Sequence, residues 1–253
     1  MKNKQEIQNK NALLQAVFSP FAKEVAQERL SEALSKGKLL IPEATYIKQQ
    51  EDAVIASIDH EIVQMESLFS LAGDLLKKHI ETLSPSQKET IQKEMGQAFT
   101  GIKERFEANP SHDPHQSLQR TLGLSNETLL WIYQVGHHYY EQKEYKEAQS
   151  LFFLLSLLNH LVSDYWLALG MTQEQLDIDP SAIYSLSLAA DLNPENPMPC
   201  YHLASLYCKI GQMQEAKQEC EKLIKFASSH KDKQWHKAVE SIQSKIRANK
   251  KSS

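Results

Sequence analysis

The fold is decided by residues 130–216, which contain the runs LWIYQVGHHYYEQKEYKEAQSLFFLLSLLNHLVSDYWLALG (130–170) and AIYSLSLAADLNPENPMPCYHLASLYCKIGQMQEA (182–216). Small residues recur there at a spacing of 34 positions. One set is Gly136, Gly170 and Ala204, and the other is Ala148, Ala182 and Ala216. A small side chain at a fixed period indicates a place where two helices approach closely, because a larger one would push them apart. The sequence therefore predicts a stack of helical pairs.

A period of this length is that of a tetratricopeptide unit, in which each repeat is one helix–turn–helix hairpin. Three repeats are expected over about 129–230. A last amphipathic segment, roughly 232–249, is expected to cap the apolar end of the stack. The second repeat matches the general pattern of Trp, Leu-Gly, Ala and Pro best, with Trp166, Leu169, Gly170, Ala182 and Pro194. We therefore predict an all-α fold with three tetratricopeptide-repeat hairpins and a C-terminal capping helix. Such stacks bind partners along a concave face, which favours a binding protein over an enzyme.

The residues before the repeats also have helical patterns. Two weak helical segments are predicted over 3–18 and 20–36. From Pro42 onward, apolar residues recur every three or four positions, which is typical of one face of a long helix. The residues of this apolar stripe are Val54, Ile58, Ile62, Met65, Phe69, Ala72 and Leu76.

A second amphipathic helix is predicted to follow almost at once. Ser84 suits the N-cap, Pro85 the first helical position, and Gln87 completes a capping box. Two helices joined by so short a turn are expected to form an antiparallel hairpin. Its apolar stripe needs a partner, either a second chain or the repeats. The second helix contributes Ile91, Met95, Phe99, Ile102 and Phe106 to that stripe.

The clearest linker in the chain is the stretch NPSHDP at 109–114. We predict a domain on each side of it: an N-terminal helical region (hairpin or coiled coil) over 1–110 and a tetratricopeptide-repeat domain over 115–250. A short helix ending near Gly123 is expected between the linker and the first repeat.

Composition and charge argue against several classes of function. The 253 residues are 41% hydrophobic and 24% charged, with a formal net charge of -4. No basic region is present, so nucleic-acid binding is not expected. The N-terminus leads into no apolar segment, and no window approaches the roughly 18–20 apolar residues of a membrane span, so neither a secretion signal nor membrane insertion is expected. Three cysteines without a CxxC pair favour a reduced, cytoplasmic protein.

The sequence contains no motif for catalysis or for a metal. The patterns GxxxxGK[ST], GxSxG and HExxH are absent. His137 and His138 are adjacent, and neighbours on a helix point about 100° apart, which makes a poor chelating pair. No cysteine pair completes a zinc site. We therefore expect no catalytic residue, no cofactor and no bound metal.

The same residues resemble one tetratricopeptide family, the class II chaperones of type III secretion, of the SycD, LcrH and IpgC kind. The resemblance covers about 117–227. The second repeat has a similar aromatic pair before Leu-Gly, in YWLALG at 165–170. The third has a similar proline-rich start, in PMPCYHLA at 197–204. The first repeat has a similar order of tyrosines before its Ala and Phe.

The family binds hydrophobic translocator proteins in the bacterial cytoplasm before secretion, and holds an extended client segment in the concave groove. The resemblance therefore implies a non-enzymatic secretion chaperone whose partner is a hydrophobic translocator or another secreted protein. It also suggests a homodimer formed near 118–124.

The first helix of each repeat is expected to line the groove. Tyr133, His137 and Tyr140 fall at i, i+4 and i+7 and so share one helix face. Tyr145 matches another family tyrosine and is expected at the edge of the groove. Tyrosine offers a large apolar body with a polar tip, and methionine adapts to irregular clients. The predicted groove residues are Tyr133, His137, Tyr140, Tyr145, Leu167, Met171, Met198, Tyr201, Ser205 and Cys208.

Other interpretations remain open from the sequence. The aromatic residues could belong to the core between repeats. Co-chaperones that grip an acidic C-terminal tail use Lys and Asn at groove positions, whereas Tyr133 and His137 occupy those positions here. A general scaffold or adaptor in a multiprotein complex is the stronger alternative. In a third interpretation, the N-terminal hairpin forms a coiled-coil dimer for which the repeats are a platform.

Overall fold

The computed structural model describes residues 23, 26–36, 41–99, 117–230 and 233–249. All regular secondary structure in these residues is helical, which confirms the all-α prediction. The predicted helix over 3–18 and the predicted linker lie outside the described residues.

The chain divides into two compact units, Met1–Ser67 and Leu68–Ser253. The division falls inside a helix, α2, which spans Glu43–Ile80. In the first unit, helix α1 spans 26–35 and buries Ala26 and Leu30. The predicted domain boundary between 110 and 115 stays a prediction, because those residues are not described.

The helix bounds follow the sequence signals closely. Helix α3 begins after Ser84, whose hydroxyl donates to Gln87 Oε1 at 2.7 Å. The Gln87 N–H donates to Ser84 Oγ at 3.5 Å, which is one half of the predicted capping box, while Gln87 Oε1 accepts from the Ser84 hydroxyl instead of the Ser84 N–H. Helix α4 ends at Gly123, where a φ of 72° suits glycine and ends the helix as predicted. These two helices are α3 (Pro85–Phe99) and α4 (Leu118–Leu122).

Three hairpins and a final helix follow, as the period predicts. Ser125 accepts a hydrogen bond from the Thr128 N–H at the start of the first hairpin. Asn196 does the same for Met198 at the start of the third hairpin, where Pro197 occupies the first helical position. The helices are α5 (Asn126–Glu141), α6 (Tyr145–Leu158), α7 (Ser163–Gln175), α8 (Asp179–Leu192), α9 (Pro197–Lys209), α10 (Met213–His230) and α11 (Lys233–Asn249).

The periodic glycines lie where the two helices of a hairpin nearly touch. A Cβ added at Gly136 would lie 2.8 Å from the Phe152 ring, and one at Gly170 would lie 2.7 Å from Leu186 Cγ. Both distances are shorter than real Cβ contacts, so the packing of the two helices leaves no room for a side chain at either position. The alanines of the second periodic set, Ala148, Ala182 and Ala216, are fully buried.

In the third repeat, a different pair of residues lies where the two helices of the hairpin approach closely. Its periodic residue, Ala204, carries a methyl group and is fully buried. The position that holds Phe152 in the first repeat and Leu186 in the second is Cys220 here, which is smaller. A smaller partner residue leaves room for the extra methyl group.

Both ends of the stack are covered by helices outside the repeats. Within the second unit, Leu76 of α2 and Ile91 of α3 share one core with Ile132 of the first repeat. Of the two partners considered for the apolar stripe, the repeats therefore bury this part of it. Two predicted stripe residues, Met65 and Phe69, are instead exposed. At the other end, the capping helix α11 buries Val239, Ile242 and Ile246 against Ala204, Cys208, Cys220 and Leu223.

Candidate functional site

The first helices of the three repeats carry equivalent positions that share one side of each helix. Within each helix the positions are spaced by three, four and three residues, so they point to the same side. Across the helices they are related by the 34-residue period. We call this surface the first-helix face. Its rows are Leu130, Asp164 and Met198; Tyr133, Leu167 and Tyr201; His137, Met171 and Ser205; and Tyr140, Glu174 and Cys208.

Tyr133 is the centre of an aromatic cluster that joins the first two repeats. Its ring lies 5.5 Å from Phe152 and 6.0 Å from Tyr165, measured between centroids. The side chain is half-buried. Burial, with a further contribution from the Asp164 carboxylate, raises the pKa of Tyr133. The phenol therefore stays protonated at neutral pH and can donate a hydrogen bond.

Tyr140 and Tyr145 form a second aromatic pair at the other end of the same helix face. Their ring centroids are 5.4 Å apart in an edge-on arrangement. Burial, followed by Tyr145 and Glu174, raises the pKa of Tyr140. Between the two aromatic groups, His137 is exposed, with Nδ1 3.6 Å from Glu141 Oε1.

The second repeat contributes aliphatic surface. Leu167 and Met171 are both half-buried. Leu167 packs on the core formed by Ala182, Leu186, Leu203 and Leu206. A side chain that packs partly on the core and is partly exposed is fixed in position and offers an apolar surface to a partner.

The third repeat is partly covered by the capping helix. The Tyr201 ring lies 6.2 Å from Trp235, and Lys245 Nζ donates to Ser205 Oγ at 2.9 Å. Cys208 is only 5% exposed and packs in the core with the capping helix. A bound segment could not reach it, so we remove Cys208 from the candidate groove residues. Met198 remains half-buried.

The predicted groove residues do not include Glu174 and Leu130 of this face or the neighbouring His202. Glu174 and His202 are hydrogen-bonded, with His202 Nδ1 2.7 Å from Glu174 Oε2, and Leu130 is 55% exposed. The period could have found Glu174 and Leu130, because they are equivalent to Tyr140 and Met198 in other repeats. It gave no signal for His202, which depends on how adjacent first helices are placed.

The described residues can also be searched for metal sites, membrane-spanning helices and reactive thiols. Among them, no group of three His, Cys, Asp or Glu side chains is placed to hold a metal ion. None of the described helices is long and apolar enough to cross a membrane. Burial and the nearby Glu219 raise the pKa of the Cys200 thiol to about 11, so the thiolate is scarce at neutral pH.

Known proteins similar in sequence give the same resemblance. The chain is 28% identical over 93 residues to low calcium response locus protein H of Yersinia pestis, and equally to its counterpart in Yersinia pseudotuberculosis. The match covers 37% of this chain and 55% of the Yersinia protein, so the chain spans about half the length of the curated relatives it matches. Low calcium response locus protein H is the LcrH named in the sequence analysis, so the match confirms the resemblance. No protein-family model matches the chain.

Similar solved structures include the crystal structure of a T3SS complex from Aeromonas hydrophila. It has a TM-score of 0.50 and 21% identity and covers 59% of this chain and 95% of that one. The type III secretion translocator chaperone SycD of Yersinia enterocolitica has a TM-score of 0.47 and 21% identity, with 53% and 98% covered. The first of these similarities shows a shared fold.

Proposed function

We propose that this chain is a cytoplasmic type III secretion chaperone. It binds an extended segment of a hydrophobic translocator protein along the first-helix face and keeps that protein soluble and competent for secretion. The function involves no catalytic step. The observation that carries the proposal is the face itself, where Tyr133, Tyr140, Leu167 and Met171 are held half-buried by the core behind them.

The chemistry of the face suits an unfolded apolar client. Covering apolar surface is favourable by about 25 cal/mol per Å². Aromatic side chains fixed by neighbours lose little conformational entropy when a partner binds, so more of this gain is retained. The Tyr133 phenol can also donate to a carbonyl of the bound segment.

The similarity to LcrH of Yersinia pestis supports the same assignment from the sequence side. A surface that covers apolar segments before secretion would prevent those segments from aggregating in the cytoplasm. A homodimer remains part of the proposal. Light scattering on the full chain and on residues 115–253 tests it, since a dimer lost on truncation assigns the contact to the N-terminal region.

Co-purification from the native bacterium is the direct test. We expect a protein with two long apolar segments to leave the cell extract in a soluble complex with this chain, and to pellet when the chain is deleted. A stable complex with an ordinary soluble protein, or recovery of the chain alone, would contradict the proposal and favour a general scaffold.

A further inference from the structure

Glu174 on the first-helix face is paired with His202, a residue of the next repeat. Glu174 lies on α7 and His202 lies on α9, so the pair joins the first helices of the second and third repeats. His202 Nδ1 is 2.7 Å from Glu174 Oε2. The two side chains are 20% and 16% exposed, so each is largely but not completely withdrawn from water.

Aromatic groups surround this pair. The Tyr201 ring meets the His202 ring edge-on with centroids 5.4 Å apart. On the other side, the Glu174 carboxylate is close enough to Tyr140 to contribute to the raised pKa of its phenol. Glu174 belongs to the second repeat, next to His202 of the third and at the position equivalent to Tyr140 of the first, so a segment that crosses all three repeats would pass it.

A client that covers this place must satisfy the carboxylate. An ionised carboxylate has about four acceptor sites, and His202 occupies one. Removing the remaining water without a replacement donor is unfavourable, and more so for a charged group than for a neutral one. An apolar client side chain at this point would leave the acceptor unsatisfied, so that alignment of the client is disfavoured.

The donor is most simply a backbone amide of the client. An extended segment presents an N–H from its main chain whatever its side chains are, and the main chain can approach a carboxylate of which only a fifth is exposed. We propose, as a refinement that rests on the proposed function, that Glu174, oriented by His202, accepts a hydrogen bond from one backbone N–H of the bound segment. This bond fixes which client residues meet Tyr133, Tyr140 and Tyr201.

The test is an amide scan of a defined probe. Overlapping fluorescein-labelled 12-residue peptides from the co-purified translocator are titrated with the full chain, and the tightest binder is resynthesised with each backbone amide N-methylated in turn. We expect one N-methyl group to weaken binding to the wild type by roughly 10- to 100-fold, the effect of losing a charge-assisted hydrogen bond. Against Glu174→Met the same change should cost less than about threefold, because its partner is already gone.

Glu174→Gln is the matched control, because its amide oxygen still accepts while the charge is lost. It should keep most of the penalty at the same amide, and all variants should unfold at similar temperatures. Equal N-methyl penalties in the wild type and Glu174→Met would overturn the inference, as would coupling to a Lys or Arg side chain of the peptide instead of an amide. If no peptide binds the wild type, the proposed function itself is wrong.

Discussion

The first and third repeats hold equivalent places in one stack, yet their first-helix faces differ. In the first repeat, Tyr133 and Tyr140 are half-buried beside an exposed Leu130. In the third, the capping helix places Trp235 against Tyr201 and Lys245 against Ser205. The 34-residue period sets how each hairpin packs internally. What the outer face of a hairpin contacts is set by its neighbours, so equivalent positions in the first and third repeats have different surroundings.

The largest expected difference between the first and third repeats is in the packing between the two helices of each hairpin. Phe152 is almost fully buried, and Phe152→Ala should lower the free energy of unfolding by about 3–5 kcal/mol. Cys220→Ala, at the equivalent position of the third repeat, removes a single sulfur atom and should cost about 1 kcal/mol. Urea denaturation followed by circular dichroism measures both. Equal losses would show that the two repeats do not differ in packing as described.

A smaller effect is expected where glycine makes the close approach. Gly170→Ala should destabilise the protein by about 1–2 kcal/mol, because the clash with Leu186 exceeds the gain of up to about 1 kcal/mol in helix propensity. In a Leu186→Ala background the side-chain clash is removed and only the 3.1 Å approach to the Leu186 backbone nitrogen remains, so the same substitution should cost clearly less. A double-mutant cycle measured by thermal unfolding checks this. Additive effects would mean that the two side chains do not compete for space.

The smallest effect is expected at the N-terminal end of the stack. His79 Nε2 lies 2.9 Å from Tyr139 Oη, and burial, followed by the charges of His138 and Lys78, lowers the pKa of His79. The unfolded state then binds the proton more readily, so this contribution to stability is full above about pH 6.5 and is lost as pH falls through the folded-state pKa. The loss should stay below about 1 kcal/mol because the ring is partly solvated.

Melting temperatures between pH 8 and pH 5 test this contribution, with His79→Gln as the comparison. Glutamine keeps polar atoms without titrating in that range. The wild type should lose more stability than the variant as the pH falls. If the melting temperatures of the two proteins fall in parallel, His79 does not contribute to the pH dependence of stability.

The sequence predicted the packing better than the outer contacts, for a physical reason. Gly136, Gly170 and Ala204 recur because close helix approach allows only a small residue, so the period reveals the hairpins directly. Tyr133 and Tyr140 follow from the same register. Cys208 obeyed that register too, but it is buried because a helix from outside the repeats packs on it. His202 meets Glu174 only through the placement of two helices, which no local pattern encodes.

In the proposed function, the first-helix face of the first repeat binds the client. The most direct measurement is a titration of the labelled translocator peptide with the wild type, with Tyr133→Ala/Tyr140→Ala, and with Tyr184→Ala. Tyr184 is an exposed tyrosine on the second helix of the second repeat and serves as the matched control. We predict affinity reduced by roughly tenfold or more for the double variant with cooperative unfolding retained, and unchanged affinity for Tyr184→Ala. Equal affinity in all three proteins would contradict the account.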